Sequence, residues 1–143
     1  MEFSAALWDP REIDPDVWQQ VDVDPSMLST DIAGRPDAAG FKRCGGIDRP
    51  RAYAIDVWSQ RYTLDDFRRK ESAAEFVPVT IADRAGFRFR PRSDHSGDQC
   101  SLIFPAVHGS YSISVLRLDP HSPVAPADRA IEVAQVMVPL LPD

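Results

Sequence analysis

Between Phe41 and Leu118 the chain carries six short stretches of strand character, and short turns join most of them. Ala52 to Gln60 alternates, with Tyr53, Ile55 and Val57 on one side and Asp56 and Trp58 on the other. That is the period-two signature of a strand with one packed face. Arg84 to Arg90 alternates in the same way, Ala85, Phe87 and Phe89 against Gly86, Arg88 and Arg90. Phe41–Ile47 reads as a further strand, and Phe76–Ile81 is an apolar, β-branched run. Cys100–Phe104 and Tyr111–Leu118 complete the set, with His108-Gly109-Ser110 as the hairpin loop between them. Strands joined by short turns pair antiparallel, so one antiparallel sheet is expected.

Helix signals flank these strands. Asp14-Pro15-Asp16 supplies a capping carboxylate and a proline at the first helical position, predicting a short helix over 13–21 with Val17, Trp18 and Val21 on one face. Thr63-Leu64-Asp65-Asp66 has the form of a capping box and predicts a helix over 64–71. Pro126 opens a last helix over 127–139, whose Ile131, Ala134, Val138 and Leu141 form one apolar stripe. Pro139 and Pro142 end it. Residues 22–40, rich in Asp, Pro, Ser and Gly, read as a long loop. The expectation is one α+β domain over 1–143, an antiparallel β-sheet flanked by helices, with 1–12 as an extended N-terminal segment.

Composition bounds the function classes. Hydrophobic residues are 43% and charged residues 27%, which supports a packed core. The net charge of −6 argues against nucleic acid as a partner and against anionic membrane surfaces. No apolar run approaches the roughly 20 residues that span a bilayer, so no transmembrane segment is expected. The opening Met-Glu-Phe-Ser-Ala lacks a basic and apolar leader, which fits a cytoplasmic protein or a mature form whose export signal has been removed. Cys44 and Cys100 fit two buried thiols or, in an exported protein, one disulfide; neither sits in a CxxC motif.

Candidate chemistry is sparse. His95 lies in the polar turn Ser93-Asp94-His95-Ser96-Gly97, where neighbours in sequence cannot form a triad among themselves. No HxH, HExxH, EF-hand, P-loop or GxGxxG pattern occurs, so neither a metal nor a cofactor is expected, and no residue is assigned a catalytic role. Arg88 and Arg90 project from one face of a strand, with Arg84 and Arg92 at its ends; they read as a solvated face or as partners of the acidic N-terminal helix, with a site for an anionic ligand as the minor alternative. Trp58, opposite the Tyr53–Ile55–Val57 row, covers a second sheet face beneath a helix or lines a pocket.

Laid out in order, several stretches resemble a domain-of-unknown-function family of actinobacterial, mostly mycobacterial, secreted proteins and lipoproteins. They are Trp8-Asp9-Pro10 with Ile13, Asp24-Pro25-Ser26, Gly40-Phe41-Lys42-Arg43-Cys44-Gly45, Asp83-Arg84-Ala85, Asp98-Gln99-Cys100 and Ala134 to Pro142. Order and spacing carry the likeness over nearly the whole chain. The resemblance implies entry into the cell envelope through an export signal or a lipobox cysteine that would anchor the precursor to lipid. Separately, the expected architecture of an antiparallel sheet flanked by helices is similar to the Mog1/PsbP-like fold, an analogy at fold level that implies no function. The family uses two cysteine pairs. Arg11 and about Ala127 stand at the positions of one pair, so the resemblance implies a single disulfide, Cys44 to Cys100. Closing a loop of about 57 residues would contribute about 4 kcal/mol in the chain-entropy model.

Three functional expectations follow. The first is a non-enzymatic envelope or secreted domain that binds an unidentified protein or small ligand, with Trp58, Arg84, Arg88 and Arg90 as the patch. The second is an immunity or antitoxin-like inhibitor, suggested by small size and acidity. The third is a cryptic hydrolase using His95 or His108 with Asp94 or Asp98, which requires a buried histidine beside a carboxylate and a serine.

Overall fold

The computed structural model describes residues 7–32, 40–71, 74–91 and 97–143. Six strands form one sheet: β1 (Phe41–Ile47), β2 (Tyr53–Gln60), β3 (Val77–Ile81), β4 (Arg84–Phe89), β5 (Gln99–Ala106) and β6 (Gly109–Arg117). Their order is β1-β2-β6-β5-β4-β3, and every pairing is antiparallel. Three helices flank it: α1 (Pro15–Gln20), α2 (Leu64–Lys70) and α3 (Pro126–Met137). The α+β expectation therefore holds.

Local chemistry sets the helix ends. Asp14 accepts from the Asp16 amide at the start of α1. Thr63 and Asp66 form the reciprocal capping box of α2, each taking the other's backbone N–H. The helix expected over 13–21 begins later, at Pro15, because Asp9 caps a separate 3-10 turn at Pro10–Glu12. The last helix stops at Met137, where Val138–Leu140 tightens into 3-10 geometry around Pro139.

Period-two alternation divides the sheet into two faces. Cys44, Ile55, Val57, Leu102, Phe104, Ile113 and Val115 face one side and are buried. They pack against Ala130, Val133, Ala134 and Met137 of α3, which crosses β5 and β6, while Val17 and Trp18 of α1 join the same core. The second face carries Phe41, Arg43, Asp56, Trp58, Ser112, Ser114, Ser101, Phe87 and Phe89. Helix α2 lies over the β4 side of that face. No residue of α2 is buried. It is held by the Arg68 guanidinium, which stacks over the rings of Phe87 at 4.4 Å and Phe76 at 5.7 Å.

The implied disulfide is absent. Cys44 on β1 and Cys100 on β5 are both free and buried. Strands β2 and β6 lie between them, so three strand spacings, about 14 Å, separate their backbones. A disulfide needs Cα atoms within about 7 Å. The resemblance paired these cysteines along the sequence, and the strand order places them apart.

The β5–β6 hairpin also differs from expectation. Ala106 pairs with Gly109, so the loop is Val107-His108 and Gly109 belongs to the strand. Gly109 has φ +101°, and a Cβ there would lie 2.0 Å from the Gln60 carbonyl oxygen, so only glycine fits. At the outer edge, Pro78 on β3 takes a non-hydrogen-bonded position opposite Phe87, where its missing N–H faces open edge. That blunts the edge against strand addition. The other edge, β1, is paired by a two-bond bridge between Ser29 and Gly45.

Candidate functional site

The second face of the sheet holds a chain of aromatic rings that starts at Trp58. Trp58 meets Phe41 edge-on, with ring centroids 6.2 Å apart and planes at 83°. Phe41 in turn meets Tyr62 at 5.1 Å. Strand pairing makes this chain: Phe41 opens β1 opposite Gln60, the last residue of β2, and Tyr62 follows two residues on. The capping box at Thr63 then turns the backbone sharply into α2, which brings Phe67 and Lys70, at i and i+3, to one side of the helix.

Between these elements lies an open pocket of about 450 Å³, lined by Phe41, Tyr62, Asp66, Phe67 and Lys70. Its size falls in the ordinary range of small-ligand sites. All three aromatic walls are only partly buried, so apolar ring surface faces open space instead of a packed interior. The Arg61 guanidinium sits 4.9 Å from the Tyr62 ring centroid and donates to the phenol oxygen at 3.1 Å, which fixes that ring.

Charge is distributed unevenly around this pocket. The Asp66 carboxylate accepts from Thr63 N at 2.9 Å and from Thr63 Oγ1 at 3.1 Å, and it also pairs with Arg69. The backbone bond from Thr63 is the largest influence on this carboxyl and holds it below the usual carboxylate range. Lys70 has no ion-pair or hydrogen-bond partner among the described residues.

A second open pocket, about 550 Å³, lies at the other end of this face, beside Met27, Arg43, Ile47, Arg49, Arg51 and Asp56. Arg43 Nε donates to Asp56 at 2.7 Å, and its Nη1 donates to the Asp31 carbonyl at 2.9 Å. Burial pushes the Asp56 carboxyl up, and Arg43 opposes that shift. Gly45 stands directly opposite, and a Cβ there would lie 2.1 Å from the Asp56 carboxylate. The absence of a side chain is what lets the ion pair close. Beside it, Ile47, Ala54 and Leu116 form one cross-strand row, with Met27 70% exposed at its end.

The expected patch divides into three places. Trp58 is on the second face. Arg84 and Arg88 point to the opposite face, alternating with Phe87 and Phe89. Arg84 donates to the carbonyls of Leu141 and Pro105 and covers the Tyr111 ring, which ties down the C-terminal segment. Arg88 and Arg90 do come together, on a shallow pocket of about 390 Å³ with Cys100 and Pro126 at the start of α3. Phe41, Tyr62, Phe67 and Lys70 were not singled out from sequence. The available signal was the position of Trp58 opposite the core row, which marks a second covered face.

Of the residues expected for a hydrolase, His108 and Asp98 lie among the described residues, and they stand apart. His108 is exposed in the β5–β6 turn, and Asp98 lies at the other end of β5, where it accepts from Arg117 Nε at 3.1 Å. His121 is exposed in a turn, and its amide donates to Asp119. His95 and Asp94 lie outside the described residues. Among the described residues no three His, Cys, Asp or Glu side chains cluster as metal ligands, and no helix is long and apolar enough to cross a membrane.

Compared with family models, with curated proteins and with solved structures, the chain matches none. The fold is established at the level of an α+β domain with one six-stranded antiparallel sheet.

Proposed function

We propose that this domain is a non-enzymatic binding module whose ligand seat is the aromatic pocket between α2 and the Phe41–Tyr62 end of the sheet. One observation carries the reading. Three partly exposed rings, Phe41, Tyr62 and Phe67, wall an open space of about 450 Å³ that no side chain among the described residues fills. Rings exposed this way lose hydration cost when an apolar or planar group enters, and they present faces and edges suited to stacking. The envelope setting, with its lipid anchor, rests on the family resemblance alone.

Titration with neutral 2-naphthylmethanol, followed by two-dimensional NMR, tests the reading. Shifts are expected at Phe41, Trp58, Tyr62 and Phe67, with affinity falling at least about tenfold in Phe67→Ala, the loss of one buried stacking ring. Shifts scattered over the surface, or unchanged affinity in Phe67→Ala, would reject it.

A protein partner is the second reading, favoured by the exposed apolar row Ile47, Ala54 and Leu116 with Met27 beside it. It covers the inhibitor-like alternative as well. Ile47→Lys would then abolish capture of the partner while leaving naphthylmethanol binding intact.

A further inference from the structure

The charge distribution at the same pocket points to the class of ligand: we infer that it takes an amphiphilic anion, a planar or apolar body bearing one carboxylate, with Lys70 as the group that receives the charge. This rests on the pocket being a ligand seat, as proposed above. Among the described residues two charged side chains line it, Asp66 and Lys70, one helical turn apart on α2. Asp66 is already committed. Both protons offered by Thr63 and the Arg69 guanidinium satisfy its carboxylate, and the positive end of the helix lies beneath it. Its remaining capacity to hold a cation is small.

Lys70 is the reverse case. Its ammonium has no carboxylate partner among the described residues, and the acid one turn before it is taken by Arg69. Counting Asp66, Arg69 and Lys70 leaves one positive charge on the helix side of the pocket. On the sheet side the Arg61 guanidinium lies over the Tyr62 ring and fixes it. A ligand whose ring lies among Phe41, Tyr62 and Phe67 would place a short-tethered carboxylate within reach of Lys70. A cationic ligand would meet the Lys70 ammonium, with Asp66, the acid lining the pocket among the described residues, already engaged.

The test compares three probes with one ring body: 2-naphthoate, 2-naphthylmethanol and 2-naphthylmethylammonium. Each is titrated into the full chain and followed by Trp58 and Tyr62 shifts. At low salt the carboxylate is expected to bind about fivefold tighter than the alcohol, as an exposed ion pair allows, and the ammonium weaker than the alcohol. Lys70→Gln is expected to bring the three within about twofold, Lys70→Glu to reverse their order, and high salt to erase the preference. Lys70 is exposed, so these variants fold. Equal binding of all three probes by the unaltered chain would overturn the charge assignment and leave the ligand seat standing. A preference for the carboxylate that survives in Lys70→Gln would remove Lys70 from the role. Failure of all three probes to bind would end both readings.

Discussion

Cys44 and Cys100 point to the same face of the sheet from strands that are separated by β2 and β6. Both are buried in the core, at 3% and 5% exposure. Burial pushes each thiol up to about 11. Thiolate is the reactive form, so both are inert in the folded state. Alkylation without reductant is expected to label neither cysteine in the native protein and both after unfolding. A mass unchanged by alkylation of the unfolded, unreduced chain would restore the bridge.

The same burial predicts a pH dependence. Below the ordinary thiol value both folded and unfolded chains keep these protons, and the shift contributes nothing. Between about 9 and 11 the unfolded chain releases them while the folded chain retains them. The unfolded state then binds fewer protons, so stability falls with rising pH, by up to about 1.4 kcal/mol per pH unit for each thiol. Denaturation midpoints across that window are expected to fall less steeply in Cys44→Ala/Cys100→Ala. An identical slope in the double variant would contradict the burial of the thiols.

Arg43 pins two things at once: the Asp56 carboxylate and the Ser29–Asp31 segment that pairs with the β1 edge. Arg43→Met leaves a half-buried acid whose pKa burial already raises, and is expected to destabilise the domain by about 2 kcal/mol. Adding Asp56→Asn removes the orphaned charge and should recover part of that loss. A double-mutant cycle by urea denaturation measures it. Strictly additive effects would show that the pair is uncoupled.

The Ser59 hydroxyl is buried with no hydrogen-bond partner among the described residues. A desolvated, unsatisfied hydroxyl is unfavourable, so Ser59→Ala should stabilise by about 1 kcal/mol, or about 3 °C in Tm for a chain of this length. Differential scanning calorimetry would show it. A drop of several degrees would mean that the hydroxyl has a partner.

Much of the scaffold is legible in the chain because one face of the sheet is packed. Tyr53, Ile55 and Val57 alternate with more polar neighbours, and all three are buried. The Thr63 capping box and the Asp14 cap are local chemistry, and they appear where the residues place them. What local reading missed depends on long-range order. The register that sets Phe41 beside Gln60, and so beside Tyr62, joins residues about 20 positions apart. The strand order that separates Cys44 from Cys100 involves four strands, and the cysteines' spacing along the chain carries no trace of it. Gly109 reads as a turn residue because glycine favours turns. It instead serves as a strand residue beneath the Gln60 carbonyl. Arg84, Arg88 and Arg90 share one strand, yet Arg84 is consumed by carbonyls of a distant segment.

The most direct measurement is the pattern of intermolecular NOEs from the ring protons of bound 2-naphthoate. The aromatic seat predicts NOEs to the rings of Phe41, Tyr62 and Phe67 and to the Lys70 side chain. NOEs to Met27, Ile47 and Leu116, with none to those rings, would contradict it and move the binding surface to the opposite end of the sheet.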